Sequence, residues 1–130
     1  MPPTIAIGIQ DFASIIQEQV FYIDKTHFIK EWWENKDSVT LITRPRRFGK
    51  TLNMSMLEYF FSMKHADKRH LFENLSLWNN TKYQKLQGTY PIISLSFANI
   101  KSSFLNLVIF QKRTSLLLLF FISISYLYTL

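Results

Sequence analysis

Residues 41–51 read Leu-Ile-Thr-Arg-Pro-Arg-Arg-Phe-Gly-Lys-Thr, and the rest of the sequence is best interpreted outward from them. The run 39–43 is apolar and β-branched, which is typical of a buried strand. A loop with proline and arginine follows and ends in Gly-Lys-Thr, and from Thr51 onward apolar residues recur at helical spacing. A strand, such a loop and a helix form, in this order, the layout of a phosphate-binding P-loop.

Each part of this pattern has a chemical role in binding a polyphosphate. Backbone N–H groups at a helix N-terminus carry partial positive charge and attract an anion. Lys50 is expected to reach the β- and γ-phosphates of ATP, Thr51 to hold Mg²⁺ through its hydroxyl, and Gly49 to let the backbone approach the phosphates. Three arginines join Lys50, so four cations lie within seven residues and a triphosphate is the obvious counter-charge. The predicted ATP-binding residues are Arg44, Pro45, Arg46, Arg47, Phe48, Gly49, Lys50 and Thr51, and the predicted metal ligand is Thr51.

The first position of the loop departs from the general pattern. G-x-x-x-x-G-K-[ST] has a glycine where this chain has Arg44. Pro45 also fixes its own φ and favours an extended conformation at Arg44. The loop is therefore expected to differ in geometry from an ordinary P-loop. The residues alone leave one alternative open, a solvated basic turn that happens to contain Gly-Lys-Thr.

A longer run around the loop resembles a known family. Residues 44–61 read Arg-Pro-Arg-Arg-Phe-Gly-Lys-Thr-Leu-Asn-Met-Ser-Met-Leu-Glu-Tyr-Phe-Phe. This run is similar to the signature of the AAA-ATPase-like proteins, which are bacterial and archaeal and often carry a C-terminal PD-(D/E)XK nuclease domain. In that family the variant Walker A motif has arginine in place of the first glycine. The resemblance covers about residues 7 to 103 and includes the segments 11–12, 21–26, 71–75 and 90–97.

The resemblance implies that intact relatives bind and hydrolyse ATP with Mg²⁺, and nucleic acid is suggested as a partner by this resemblance only. Hydrolysis also needs a carboxylate that holds Mg²⁺ after a second strand and a group that orients water. Glu73 is the last acidic residue of this chain, so no such aspartate follows the predicted second strand. The chain therefore resembles an N-terminal fragment of a longer ATPase. We predict nucleotide binding without hydrolysis, assign no catalytic residue and leave enzymatic activity open.

The composition of the chain restricts the other kinds of site and partner that can be expected. The chain has 130 residues, enough for one domain, and carries a net charge of +6, which suits an anionic partner. It has no cysteine, which excludes disulfides and thiolate metal sites. His65 and His70 lack further ligands in the sequence to complete a metal site. The N-terminus lacks the pattern of a signal peptide, so a cytoplasmic location is expected.

The predicted fold class is α/β, the N-terminal part of a P-loop NTPase. Strands are predicted at 39–43 and 90–97, with the helix after Lys50 between them, which gives a right-handed βαβ unit with parallel strands. Short helices are predicted to precede this unit, with Asp11 and Asp24 as N-caps. Lys25, next to the second cap, is expected to be solvated.

The end of the chain has a different composition. We divide the sequence into a partial P-loop domain at 1–103 and an apolar, helical tail at 104–130. The tail has three interpretations: a membrane anchor at 114–130, a buried core helix, or the product of a frameshift followed by a premature stop. The alternatives for the whole protein are therefore a small membrane-associated protein, a basic nucleic-acid-binding module and an inert truncated product.

Overall fold

The structure is a computed structural model, and it describes residues 4–5, 7–35, 39–42, 49–96, 107–113 and 116–122. The α-helices are α1 (Phe12–Gln17), α2 (His27–Glu34), α3 (Lys50–Phe61) and α4 (Thr81–Leu86), and 3-10 helices occur at Met63–Leu71 and Ser76–Asn79. The strands are β1 (Val39–Ile42), β2 (Ile92–Ser96), β3 (Leu107–Arg113) and β4 (Leu116–Ile122). β1, α3 and β2 lie where a strand, a helix and a second strand were predicted from the sequence.

The four strands form one mixed sheet in the order β1-β3-β4-β2. β3 is antiparallel to both β1 and β4, whereas β4 is parallel to β2. β1 and β2 therefore run in the same direction, with two strands between them. The P-loop NTPase fold remains a prediction, since a shared direction is necessary for that fold but does not establish it.

The prediction of an apolar helical tail is wrong for the part of the tail that the structure describes. Residues 107–113 and 116–122 pair with each other as antiparallel strands. Both runs are rich in Leu, Ile, Val and Phe, and a continuous apolar run of this length fits a buried strand as well as a helix segment. Within the described residues, no helix is long and apolar enough to cross a membrane.

α1 begins as its sequence predicts. The Asp11 side chain accepts a hydrogen bond from the Ser14 backbone N–H at 2.9 Å, which makes Asp11 the N-cap. The other carboxylate oxygen of Asp11 accepts from Ser55 Oγ of α3 at 3.3 Å, and Ser55 Oγ in turn accepts from the Phe12 N–H at 2.9 Å. The start of α1 is thereby tied to the middle of α3.

The core surrounds the second half of α3. Met56, Leu57, Phe60 and Phe61 are completely buried. Rings from several elements close around them, with centroid distances of 4.9 to 5.4 Å for the pairs Phe60–Phe61, Phe60–Phe72, Trp32–Phe61 and Trp33–Phe61. Such contacts add to the stabilisation that comes from burial alone. The Met and Phe positions of α3 are thus core, as their spacing predicts.

The last turn of α3 differs from the helical pattern. Ser62 continues the helical spacing of the polar residues Ser55 and Glu58 but is buried, and Met63 continues the spacing of the apolar residues Met56 and Phe60 but is 59% exposed. The reason is that α3 ends at Phe61 because Ser62 takes an extended conformation with ψ of 130°. Ser62 then caps the following 3-10 helix by accepting from the Lys64 N–H at 3.3 Å.

The faces of β2 are also opposite to the predicted ones at its first residues. In the sequence Ile93 and Leu95 alternate with Ser94 and Ser96, a pattern that predicts Ile93 on the core face of the strand. In the structure Ile93 is 45% exposed, whereas Ile92 packs against the core cluster. Because side chains alternate along a strand, a shift of one residue in the register of β2 reverses both faces.

The turn before β2 is held close to α3. The Gly88 N–H donates to the Phe60 carbonyl at 2.7 Å, and the Tyr90 N–H donates to the Phe61 carbonyl at 2.9 Å. Gly88 has a φ of +70°, and a Cβ built there would lie 2.6 Å from Ala66 Cα. Only glycine satisfies both the backbone conformation and the close approach at this position.

Candidate functional site

The predicted phosphate site lies at the start of α3. Gly49 is the N-cap, with φ of 74° and ψ of 20°, and no side chain of the described residues caps the helix there. The Gly49 carbonyl accepts the first intrahelical hydrogen bond, from the Asn53 N–H at 2.9 Å. The N–H groups ahead of Asn53 have no intrahelical acceptor, so the first turn of α3 offers donors to an anion. The first turn contains no acidic side chain that would repel one.

The predicted site residues are described only in part. Lys50 is the first residue of α3, and Thr51 follows it with a half-buried side chain. These positions agree with the prediction that the helix begins directly after the glycine. The side chain of Lys50 lies outside the described part, as do Arg44, Pro45, Arg46, Arg47 and Phe48.

Lys25 lies beside this site. A Cβ built on Gly49 would be 3.5 Å from Lys25 Nζ, so the ammonium group lies at the residue that caps α3. The Lys25 side chain is half-buried, which corrects the expectation that it is solvated. Among the ion pairs of the described residues, none includes Lys25.

The turn that carries Lys25 is fixed on both sides. One oxygen of the Asp24 carboxylate accepts from the Thr26 backbone N–H at 2.8 Å and from the Thr26 hydroxyl at 2.6 Å. The other oxygen accepts from the Ser76 N–H at 2.7 Å. Asp24 was predicted as the N-cap of α2, but Thr26 occupies that position and its side chain makes no capping bond. The Asp24 carboxylate therefore joins the start of α2 to the 3-10 helix at Ser76–Asn79 instead of capping α2.

The electrostatics of Asp24 follow from these bonds. Burial on its own raises the pKa of the carboxyl group, but the hydrogen bonds from Thr26 and Ser76 outweigh it and bring the pKa to about 2, from an ordinary value of 3.8. Asp24 is therefore ionised at neutral pH, and the hydrogen bonds from Thr26 and Ser76 stabilise its negative charge. Lys25, the adjacent residue, is left without this carboxylate as an ion-pair partner.

Asp11, the N-cap of α1, has a similar character. Burial raises the pKa of its carboxyl group, and hydrogen bonds, led by those from Ser14, lower it further than burial raises it. Asp11 binds Ser55 in the second turn of α3 and not the first turn. Its role is to attach α1 to α3, and it lies outside the set of groups that face Gly49.

Of the two histidines considered as metal ligands, His65 has structural contacts. The His65 ring packs on the Tyr59 ring with centroids 4.3 Å apart, and the His65 carbonyl accepts from Gln87 Nε2 at 2.9 Å. His70 is exposed. Over the described ranges, no group of three or more His, Asp or Glu side chains is placed to hold a metal ion.

Sequence reasoning missed Lys25 as a site residue. Its segment, 21–26, belongs to the family resemblance, but no spacing rule connects residue 25 to residue 49. The only signal in the sequence was the occurrence of both segments in one family pattern. The contact itself depends on how α2 packs against α3.

The site suits a polyphosphate with a divalent cation. A negatively charged ligand is favoured by the helix N-terminus, which no described side chain caps, and by the glycine without a Cβ. It is also favoured by the Lys25 ammonium group, which has no ion-pair partner among the described residues. Thr51, in the first turn, has the hydroxyl that Mg²⁺ takes as a ligand beside phosphate oxygens. ATP with Mg²⁺ therefore fits the residues that are present.

Comparison with known proteins identifies relatives of this chain. Residues 6–116 match the family model of the AAA-ATPase-like proteins, described as "Predicted AAA-ATPase". The match extends beyond residue 103, the end of the domain predicted from the sequence. A protein of Azotobacter chroococcum mcd 1, described as "Uncharacterized protein in vnfD 5'region", is 32% identical over 94 residues, which are 72% of this chain and 17% of that protein. The chain thus spans about a sixth of the length of this curated relative. No solved structure matches the chain.

Proposed function

The chain belongs to the AAA-ATPase-like family, and from that premise we propose that it binds ATP with Mg²⁺ at the start of α3 through a variant Walker A motif. The observation that supports this most directly is the Gly49 cap. Its φ is positive and no side chain in the described part of the chain caps the helix, which leaves the first amides of α3 for a ligand. The sequence places Lys50 and Thr51 directly after that cap.

Each residue of the motif has a defined part in this function. The amides of the first turn of α3 would donate to phosphate oxygens, and the Lys50 ammonium would neutralise charge on the outer phosphates. The Thr51 hydroxyl would hold Mg²⁺, which in turn neutralises the phosphates further when it is bound. Arg44, Arg46 and Arg47 would add positive charge and bidentate donors around the triphosphate.

The proposal is restricted to binding. The chain has no acidic residue after Glu73, and so no carboxylate follows β2 to complete the Mg²⁺ site of a hydrolytic enzyme. We therefore expect ATP to be bound and released intact.

The test is equilibrium binding of a fluorescent ATP analogue in the presence of Mg²⁺ to the parent chain and to Lys50→Ala. We expect Lys50→Ala to weaken binding by about 10-fold or more, because a hydrogen bond to a charged group contributes roughly 1.5–3 kcal/mol. Lys64→Ala is the matched control, since Lys64 is an exposed lysine just after α3, and it should bind as the parent does. Equal affinity of Lys50→Ala and the parent would refute phosphate binding at this motif.

A further inference from the structure

We propose that Lys25 is a second phosphate-binding lysine of the same site, which makes the site selective for nucleotides with more than one phosphate. This inference rests on the proposed function, because it adds a residue to the ATP site at the start of α3. It assigns the segment 24–26, which lies 24 residues before Gly49 in the chain, to nucleotide recognition.

The position of the ammonium group carries the inference. Lys25 Nζ lies 3.5 Å from the point where a Cβ would stand on Gly49, the N-cap of α3. A ligand that accepts hydrogen bonds from the first amides of α3 therefore comes within reach of Lys25. The absence of a Cβ at Gly49 leaves open the space between the ammonium group and the backbone.

The charge of Lys25 lacks a carboxylate partner among the described residues. The ion pairs found there join Lys68 to Asp67 and Lys82 to Glu34. The neighbouring Asp24 is occupied by Thr26 and Ser76, as its low pKa reflects. A half-buried ammonium group without a counter-ion has lost part of its hydration, and an anionic ligand would restore a favourable environment.

The backbone of Lys25 is held in place by its neighbours. Thr26 is completely buried, and its Oγ1 accepts from the Leu77 N–H at 3.3 Å. The Lys25 N–H donates to the Tyr22 hydroxyl at 3.4 Å, and that hydroxyl donates to Met56 Sδ of α3 at 3.5 Å. The stem of Lys25 thus starts from a backbone that is attached to the same helix whose N-terminus binds the phosphates. Such a connection lowers the entropy that a flexible lysine loses when it binds a ligand.

The chemical class of ligand follows from the combined charge. Lys25 lies beside Gly49 in the fold, and Lys50 follows Gly49 in the sequence. Each of the two ammonium groups would neutralise one or more phosphate oxygens. A nucleoside monophosphate has one phosphate group, and so it offers less negative charge and fewer oxygens to two ammonium groups and the helix amides than a di- or triphosphate does. The contribution of Lys25 should therefore grow with the number of phosphates.

The experiment compares ATP, ADP and AMP, each with Mg²⁺, on the parent, Lys25→Met and Lys25→Arg. Met keeps an apolar stem of similar length without the charge, and Arg keeps the charge. For Lys25→Met we expect affinity for ATP to fall by about 10-fold and affinity for AMP to change by less than about 2-fold. Lys25→Arg should recover at least part of the ATP affinity. Thermal unfolding without nucleotide should show the same midpoint for Lys25→Met and the parent.

The matched control is Lys30→Met, since Lys30 is an exposed lysine on the adjacent helix α2, and it should bind all three nucleotides as the parent does. If Lys25→Met binds ATP as the parent does while Lys50→Ala binds more weakly, the role of Lys25 is refuted and the proposed function stands. An equal loss for ATP and AMP in Lys25→Met would also refute the inference. If the parent itself binds no nucleotide, the proposed function fails, and the role of Lys25 fails with it.

Discussion

The two ends of α3 are built in opposite ways. At the C-terminal end, Phe60 and Phe61 are completely buried and packed against rings from three other segments. At the N-terminal end, the helix begins at a glycine with positive φ, no described side chain caps it, and the ammonium group of Lys25 lies beside it. One end of the helix is thus held by burial, and the other presents donors and positive charge to a ligand.

Approximate free energies show why α3 can be stable although only its C-terminal end is buried. A glycine N-cap in place of a capping side chain costs only about a few tenths of a kcal/mol of helix stability. Each completely buried aromatic or aliphatic side chain contributes roughly 1.5–3 kcal/mol. Two phenylalanines at the buried end therefore outweigh the cost of an open N-terminus. The difference indicates that the stability of α3 comes from its second half, and that changes at the two ends should affect different measurements.

The largest effect is expected at the buried end. Phe60→Ala should lower the free energy of unfolding by about 3–5 kcal/mol, because it removes a ring that packs against Phe61 and Phe72 and leaves a cavity. Urea denaturation followed by tryptophan fluorescence would measure it. Met63→Ala, three residues later but 59% exposed, is the control and should change stability by less than about 0.5 kcal/mol. Similar losses for both variants would show that α3 is not held by this core.

A smaller effect is expected where the turn before β2 meets α3. Gly88→Ala should cost about 1–3 kcal/mol, because the new Cβ would meet Ala66 Cα at 2.6 Å and φ is +70°. Gly8→Ala separates the cost of the positive φ from the cost of the contact with Ala66, since Gly8 has a φ of +88° but nothing lies within 4 Å of its Cβ position. We expect the thermal midpoint to fall further for Gly88→Ala than for Gly8→Ala. An equal decrease would mean that the contact with Ala66 is unimportant.

The smallest effect concerns the turn that carries Lys25, and it depends on pH. The pKa of Asp24 is about 2 in the folded chain, below the ordinary value of 3.8. A depressed folded pKa means that the carboxylate contributes stability above the unfolded pKa and that this contribution is lost as pH falls from about 4 to about 2. Because Asp24 is only half-buried, we expect its contribution to be about 1 kcal/mol after solvent screening.

The measurement is urea denaturation of the parent and of Asp24→Asn at neutral pH and at successive pH values down to about 2. The amide has no second acceptor for the Ser76 N–H, so Asp24→Asn should be less stable at neutral pH and the difference should vanish in acid. Asp11, whose pKa is also lowered, is present in both proteins, so its pH-dependent contribution to stability cancels in the comparison. A difference that persists at low pH would contradict the role of the ionised carboxylate.

Local features of the fold were well predicted from the residues. Asp11 caps α1, β1 and β2 lie where strands were expected, and α3 begins directly after Gly49. These features depend on residues within one turn or one strand of each other. The features that were mispredicted depend on register or on distant partners. Ile92 packs against the core in place of Ile93, Asp24 binds Ser76 in place of capping α2, and residues 107–113 and 116–122 are strands in place of a helix.

The sequence alone determined the family of this chain and the helix start after Gly49, because a motif and a cap are read from adjacent residues. It also determined that no carboxylate follows β2. Only the tertiary structure placed Lys25 against Gly49 and joined Asp24 to Ser76, across separations of 24 and 52 residues. Such contacts depend on which buried faces pack together, and local propensity carries no information about that choice. The start of α3 at Gly49 is therefore determined by the local sequence, whereas the position of Lys25 beside it depends on how the elements pack together.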